Sequence, residues 1–337
     1  MKLNNSLIKI KDILNVREKY ILKFYEDNYP RKKFFLKKNW KWLYRINFSK
    51  YTTPKIFLIN KQIISHAGHI PFYIKIKEKK YLASWFVDFL VIRKYQKKKL
   101  GRSLAKIWMK NIDIGVTFCN KKSLKVFKNN NWNTDVNFFS TIIPINPFKL
   151  KEINNLFPDF FNKFFFFFLC KFNKIDKGED IISFYNLSNK NINKLSDENN
   201  SLSKSLKPFR DKKYLKWRIS ESPFKNQYLI ASLKNKKQYF LIKKSLKNKN
   251  MYLEILMKPK NINNYYLRSF LLEISKWAYK NNYVYIKFLI DEKSIKNLNL
   301  FLIYKRKLNF AFFFKKKKIN TSFQFDLIDS DFEFTNF

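Results

Sequence analysis

Ser84–Ile92 (S-W-F-V-D-F-L-V-I), Arg93–Gly101 (R-K-Y-Q-K-K-K-L-G) and Arg102–Lys110 (R-S-L-A-K-I-W-M-K) decide how this chain reads. The first segment is apolar, β-branched and aromatic, the composition of a buried strand. The second is a polar turn with one glycine. The third sets Leu104, Ile107 and Trp108 at helical spacing. Working outward, Ile112–Phe118 predicts a second strand and Lys121–Asn130 a second helix, ending near Trp132. A strand that feeds a helix through a glycine-bearing turn leaves unpaired N–H groups at the helix start. Those donors, with a helix dipole of about half a unit charge, suit a phosphate or pyrophosphate.

The spacing Phe89-x-Val91-x-x-x-x-Gln96-x-x-Lys99-x-Gly101 resembles the core signature of the GNAT superfamily of acyl-CoA-dependent N-acyltransferases. Asn120-x-x-Ser123-x-x-x-Phe127-x-x-x-Asn131-Trp132 resembles that superfamily's second signature. The two halves stand in the right order with a strand between them, and the resemblance covers residues 55–145. The other reading of the same residues is an ordinary βαβα unit with a lysine-rich turn.

The resemblance implies acetyl-CoA or another short acyl-CoA as co-substrate. The backbone of Phe89, Leu90 and Val91 would pair with the pantetheine arm and polarise the thioester carbonyl. Gln96, Lys97, Lys98, Lys99, Leu100, Gly101, Arg102 and Ser103 would wrap the pyrophosphate. Asn120, Ser123 and Phe127 would flank the coenzyme. Three positions depart from the family pattern. Lys99 replaces the first glycine of the turn. Asn131 replaces the terminal glycine of the second signature, a soft change because Asn tolerates the left-handed conformation. Phe127 replaces the tyrosine that often protonates the leaving thiolate, and it has no proton to give. Tyr95 and Tyr73 are substitutes that spacing does not select, so the acid is unassigned. Asp88 is the carboxylate on the central strand and could accept an amine proton through water. Strand alternation puts it on the face opposite Val91, so this role needs a bulge. A structural aspartate paired with Lys or Arg is the equal alternative.

The chain has 337 residues, 46% of them hydrophobic, enough for a sizeable core, and its length suggests two domains. A net charge of +45 reads at first as a nucleic-acid or anionic-surface protein. Lys, Asn, Ile and Phe abound, however, while glycine occurs only 4 times, the signature of an AT-rich coding sequence. Lys also far outnumbers Arg, the better phosphate and base reader. No specific nucleic-acid partner is therefore expected, although the charge would steer an anionic coenzyme. Two cysteines, Cys119 and Cys170, exclude a disulfide framework and suggest a reducing compartment, with the cytoplasm as default. The N-terminus has no apolar run of the signal-peptide kind. Phe160–Phe172 is too short to span a bilayer and carries Lys163, so no membrane span is expected; an apolar connector is favoured over a membrane-surface segment. His66 and His69 fall on opposite strand faces unless a bulge intervenes at Gly68. No metal is expected, since no Cys/His/Asp cluster lies near them.

Along the chain, residues up to Pro30 predict a helix and residues 34–48 a second. Ile56–Asn60 and Ile63–Pro71 predict a hairpin, and Asp135–Pro144 a closing strand. Asn191–Ser205 reads as a polar linker. Residues 206–337 echo the first half, from Lys216-Trp217-Arg218 through strands Gln227–Ser232 and Tyr239–Lys243 to helix Leu267–Tyr279 and strand Tyr283–Ile290. The expectation is α/β (α+β) with two tandem GNAT-like mixed-sheet domains. Residues 1–148 would bind acyl-CoA, 149–205 would connect, and 206–337 would be a degenerate copy, with no glycine turn at its helix start. Trp217-Arg218 and Asp329-x-Asp331 are similar to double-domain members associated with surface-polysaccharide genes. Acyl transfer to a primary amine of a small molecule or amino sugar leads. A Fem-type aminoacyl transferase using charged tRNA, and an inactive polyanion-binding or scaffold protein, are the alternatives.

Overall fold

The computed structural model describes residues 8–76, 79–96, 98–150, 156, 158–173, 182–196, 206–234, 237–259, 262–315 and 322–331. Its strands are β1 (Lys9–Asp12), β2 (Lys55–Ile59), β3 (Gln62–Ile76), β4 (Lys79–Val91), β5 (Ile114–Cys119), β6 (Phe138–Pro144), β7 (Ile182–Tyr185), β8 (Tyr228–Leu233), β9 (Tyr239–Lys247), β10 (Asn250–Met257), β11 (Tyr285–Asp291) and β12 (Tyr304–Phe314). Its α-helices are α1 (Glu18–Asn28), α2 (Lys33–Leu43), α3 (Leu100–Met109), α4 (Lys121–Lys128), α5 (Phe160–Asn173), α6 (Asn189–Asn193), α7 (Lys212–Leu215), α8 (Asn264–Lys280) and α9 (Glu292–Lys296).

The strands form one 12-stranded mixed sheet in the order β1-β2-β3-β4-β5-β12-β6-β11-β10-β9-β8-β7. Exchanging each strand for the one six places away in the chain returns the same order read from the opposite edge. Both parallel pairs, β4–β5 and β10–β11, obey that exchange. So do the helices: α3 and α8 follow β4 and β10, and α4 and α9 follow β5 and β11. The chain is thus a tandem repeat whose halves trade their last strands. β12 closes the first half against β5, and β6 closes the second against β11.

Local chemistry sets the elements. The β2–β3 hairpin turns at Asn60 and Lys61, and the β9–β10 hairpin at Asn248 and Lys249, all with φ between 46° and 67°. Both are two-residue turns of the kind that right-handed strand twist favours. Asn120 caps α4 by accepting from the Ser123 N–H, and Asp291 caps α9 at the matching place. The helix expected over 34–48 stops at Leu43, because Arg45 takes φ 47°, which no α-helix accommodates. β1, β7, β10 and β12 escaped the sequence reading. The stretch expected to connect the halves carries α5, β7 and α6; residues 197–205 of the expected linker, and Gly178, lie outside the described residues.

One sheet face carries a single apolar cluster that runs across both halves beneath α1, α2 and α7. The other face carries two, one under α3 and α4 and one under α8.

Candidate active site

β4 and β5 touch over a short length. Their register pairs Ala83 with Ile114, Ser84 with Gly115 and Trp85 with Val116, and goes no further. The Thr117 hydroxyl donates to the Phe86 carbonyl at 2.7 Å and marks the fork. Beyond it, β4 stays paired to β3 as far as Val91, opposite Ser65. Among the described residues no strand pairs with the other edge of residues 87–91. The Gln96 side-chain amide donates to the Val91 carbonyl there at 3.0 Å.

The N-terminus of α3 adjoins this edge. Lys99 is its N-cap residue, with φ 57° and no side-chain cap. The first helical bond is from Ser103 N to the Lys99 carbonyl, so the amides of Leu100, Gly101 and Arg102 have no helical acceptor. Lys99 therefore adopts the conformation a glycine would supply, at a cost of about 1 kcal/mol. Gly101 serves a packing role: a Cβ there would lie 2.9 Å from Phe89 Cζ. Gln96, Lys98, Lys99, Arg102 and Ser103 are exposed, Phe89, Leu90 and Val91 are half-buried, and Leu100 is buried; Lys97 lies outside the described residues. Phe127 is sealed beneath the corner, its ring 5.2 Å from Phe86, 5.9 Å from Phe89 and 4.6 Å from Trp132. Asn120 and Ser123 are tied to each other at the start of α4. Asn131 takes φ 61°.

The matching corner of the second half is closed. Asn263 caps α8 by accepting from the Tyr266 N–H. Lys258, just past β10, donates to the Leu289 carbonyl and pairs with Asp326. Arg210 ties Asp326 and Asp329 together, so the segment 322–331 fills this side.

Asp88 sits in the bulge that its role requires. Between the pairs His66–Leu90 and Gly68–Val87, β4 carries one residue more than β3, and Asp88 takes φ 49°. Tyr29 donates its hydroxyl to the Asp88 carbonyl at 2.6 Å, and His66 Nδ1 lies 3.0 Å from the same oxygen. In a planar trans peptide this turns the Phe89 N–H the opposite way, away from α1. The Asp88 carboxylate receives Lys32 Nζ on both oxygens at 2.9 Å and the Tyr44 hydroxyl at 2.8 Å. Lys32 also donates to Asp331 at 2.9 Å. Tyr44 approaches because a Cβ at Gly68 would stand 2.7 Å from its ring, so only glycine fits there. Burial works against the Lys32 charge, but Asp331 and Asp88 outweigh it and hold the ammonium above its usual range. Burial, with Asp88 adding to it, raises the Asp331 carboxyl above the usual aspartate range. Burial also keeps the hydroxyls of Tyr25, Tyr29 and Tyr44 protonated, and lowers His66. His69 lies on the other sheet face, against Trp108, 4.8 Å between ring centroids.

Lys32, Tyr29, Tyr44 and Asp331 were not singled out as partners of Asp88 from sequence. A cavity of about 540 Å³ opens between α2 and α7, lined by Trp42, Arg45, Tyr73, Tyr214 and Trp217 and by no member of this group. Trp42 and Trp217 exchange indole N–H bonds to each other's carbonyls at 3.0 and 2.8 Å, joining the halves. The Arg45 guanidinium lies 3.8 Å from the Phe48 ring and 4.5 Å from the Trp217 ring, and burial lowers its pKa to about 10. A second cavity, about 500 Å³, lies between α1 and the β2–β3 turn. Neither is lined by the β4 edge or the α3 N-terminus. Among the described residues no group of three His, Cys, Asp or Glu could hold a metal, and no helix is long and apolar enough to cross a membrane.

No family model and no curated protein matches the sequence. Solved structures do match the fold. A GCN5-related N-acetyltransferase from Anabaena variabilis aligns at 9% identity with a TM-score of 0.57, over 90% of this chain and 72% of that one. A second, from Kribbella flavida, aligns at 8% identity and 0.54, over 92% and 72%. N-myristoyltransferase from Saccharomyces cerevisiae, with bound myristoyl-CoA, aligns at 12% identity and 0.57, over 91% and 83%.

Proposed function

Since the chain has the GNAT acyl-CoA N-acyltransferase fold, we propose that it moves a short acyl group, acetyl first among them, from acyl-CoA to a primary amine of a small molecule or amino sugar. The observation that carries this reading is the fork. Among the described residues no strand pairs with one edge of residues 87–91, and beside it lies a helix start whose first three amides have no helical acceptor, with Lys98, Lys99 and Arg102 exposed. An extended pantetheine arm would pair with that edge, and the diphosphate would meet the amides and cations. The Phe89 N–H is the donor for the thioester oxygen.

In the reaction the amine nitrogen bonds to the acyl carbon as the C–S bond breaks. One amine proton passes through water to the Asp88–Lys32–Asp331 group. Asp331, with its carboxyl raised, is the readier acceptor, and Asp88 anchors Lys32. The departing thiolate takes its proton from water, since Phe127 offers none. Trp85, stacked on Phe118 at 5.0 Å, and Phe138, Phe310 and Phe325 fill the sheet face behind the fork, which favours a short acyl chain. The two cysteines support a reducing compartment, the cytoplasm.

Isothermal titration with acetyl-CoA at moderate salt tests the reading. Saturable binding is expected, weakened when Lys98, Lys99 and Arg102 are all changed to Ser. Absence of binding, or displacement of acetyl-CoA by charged tRNA at the same salt, would overturn it in favour of a scaffold or an aminoacyl transferase.

A further inference from the structure

The helix α5 carries a feature that acyl transfer does not use. Its inner side is built into the fold. Leu169 is buried, the Phe166 ring stacks on Tyr279 at 4.0 Å, and Asn173 accepts from the Phe301 N–H at 2.8 Å. Its outer side is phenylalanine. Phe160, Phe164 and Phe167, spaced i, i+4 and i+7, share one helix face and are 59%, 61% and 48% exposed. Phe172 extends the surface. It is exposed, and its ring lies 4.5 Å from that of Phe301, which is exposed with Leu302. Large aromatic side chains on the wet face of a docked helix are costly to leave in water.

Charge decides what covers them. Lys163 and Lys171 flank the row on the helix itself, both exposed. Beyond Leu302 come Tyr304, Lys305, Arg306 and Lys307, all exposed. Asp159, 3.9 Å from Lys149, is the acid nearest the row in sequence. A second copy of a chain carrying +45 would be repelled. An anionic bilayer would be attracted, and aromatic rings with long basic side chains are what the headgroup region accepts. With 14 residues the helix is too short to span a bilayer and long enough to lie in its surface.

We propose that the Phe160–Phe164–Phe167 face of α5, extended by Phe172 and Phe301, seats the protein on an anionic membrane surface with α5 parallel to the bilayer plane. This site is separate from the fork and does not depend on the acyl-transfer reading.

The test is co-sedimentation of the full chain with phosphatidylcholine vesicles, with and without about one-third phosphatidylglycerol, at about 0.15 M salt. The wild type is expected to partition on the order of tenfold more strongly to the anionic vesicles. Phe160→Ser/Phe164→Ser/Phe167→Ser is expected to lower that partitioning by a similar factor while circular dichroism stays unchanged. Should the triple variant misfold, Phe164→Asp alone is expected to weaken binding in the same direction. Equal binding by wild type and a folded variant would overturn the proposal, as would equal binding to neutral and anionic vesicles. A wild-type dimer that the variant converts to a monomer, without vesicle binding, would assign the face to a second copy and overturn it too.

Discussion

Replacing Lys32 by Met should expose how much the fold depends on one buried ammonium. Lys32 and Asp88 side chains are each 6% exposed and Asp331 is 14% exposed. Solvent therefore screens little of their interaction. Removing the cation leaves two carboxylates facing each other, with the Tyr44 hydroxyl still donated to Asp88. Breaking a buried pair in this way costs about 3–5 kcal/mol. The pH dependence separates this cause from lost packing. In the wild type the raised Lys32 pKa contributes stability that is fully present below the ordinary lysine value of 10.5 and is lost only as pH rises through the folded value. Asp331 is also raised, so its protonation favours the folded state, and that contribution fades as pH rises through its folded value. Without Lys32 the two carboxylates would share a proton, and one proton more in the folded state recovers about 1.4 kcal/mol per pH unit. In urea unfolding, the deficit of Lys32→Met against wild type should therefore be about 4 kcal/mol near neutral pH and shrink by about 2–3 kcal/mol over two units of acidification. A deficit under about 1 kcal/mol, or one that does not change with pH, would refute a desolvated carboxylate–ammonium–carboxylate group.

Two further outcomes follow from single residues. Lys99→Gly should stabilise the protein by about 0.5–1 kcal/mol in urea unfolding, because φ 57° strains a lysine and not a glycine; a loss of stability would mean that the lysine side chain is held by contacts. Burial pushes the Cys119 thiol up to about 12, so alkylation by iodoacetamide near pH 8 should be far slower than for a free thiol at about 8.5; labelling at the free-thiol rate would contradict the burial.

The strand, turn and helix from β4 to α3 could be read in the sequence because a continuous apolar run gives way to a polar, lysine-rich turn and then to apolar residues at helical spacing. The bulge was legible as a requirement only. Asp88 in the left-handed region leaves no sequence mark beyond Asp's tolerance of it. Lys32 and Asp331 are 299 positions apart, and lysine is so common here that nothing in the sequence singles out Lys32 as buried. β12 was missed because its place between β5 and β6 comes from exchange with the other half, which no local window shows. Trp217 did mark something: it faces Trp42 across the junction of the halves. Asp329, noted beside it, pairs with Arg210 in the segment that closes the second corner.

The most direct measurement of the central claim is hydrogen exchange of backbone amides with and without acetyl-CoA. The account expects protection in peptides covering residues 87–91 and 98–103, with none at the matching corner past β10. Binding that protects other segments and leaves both of these unchanged would contradict it.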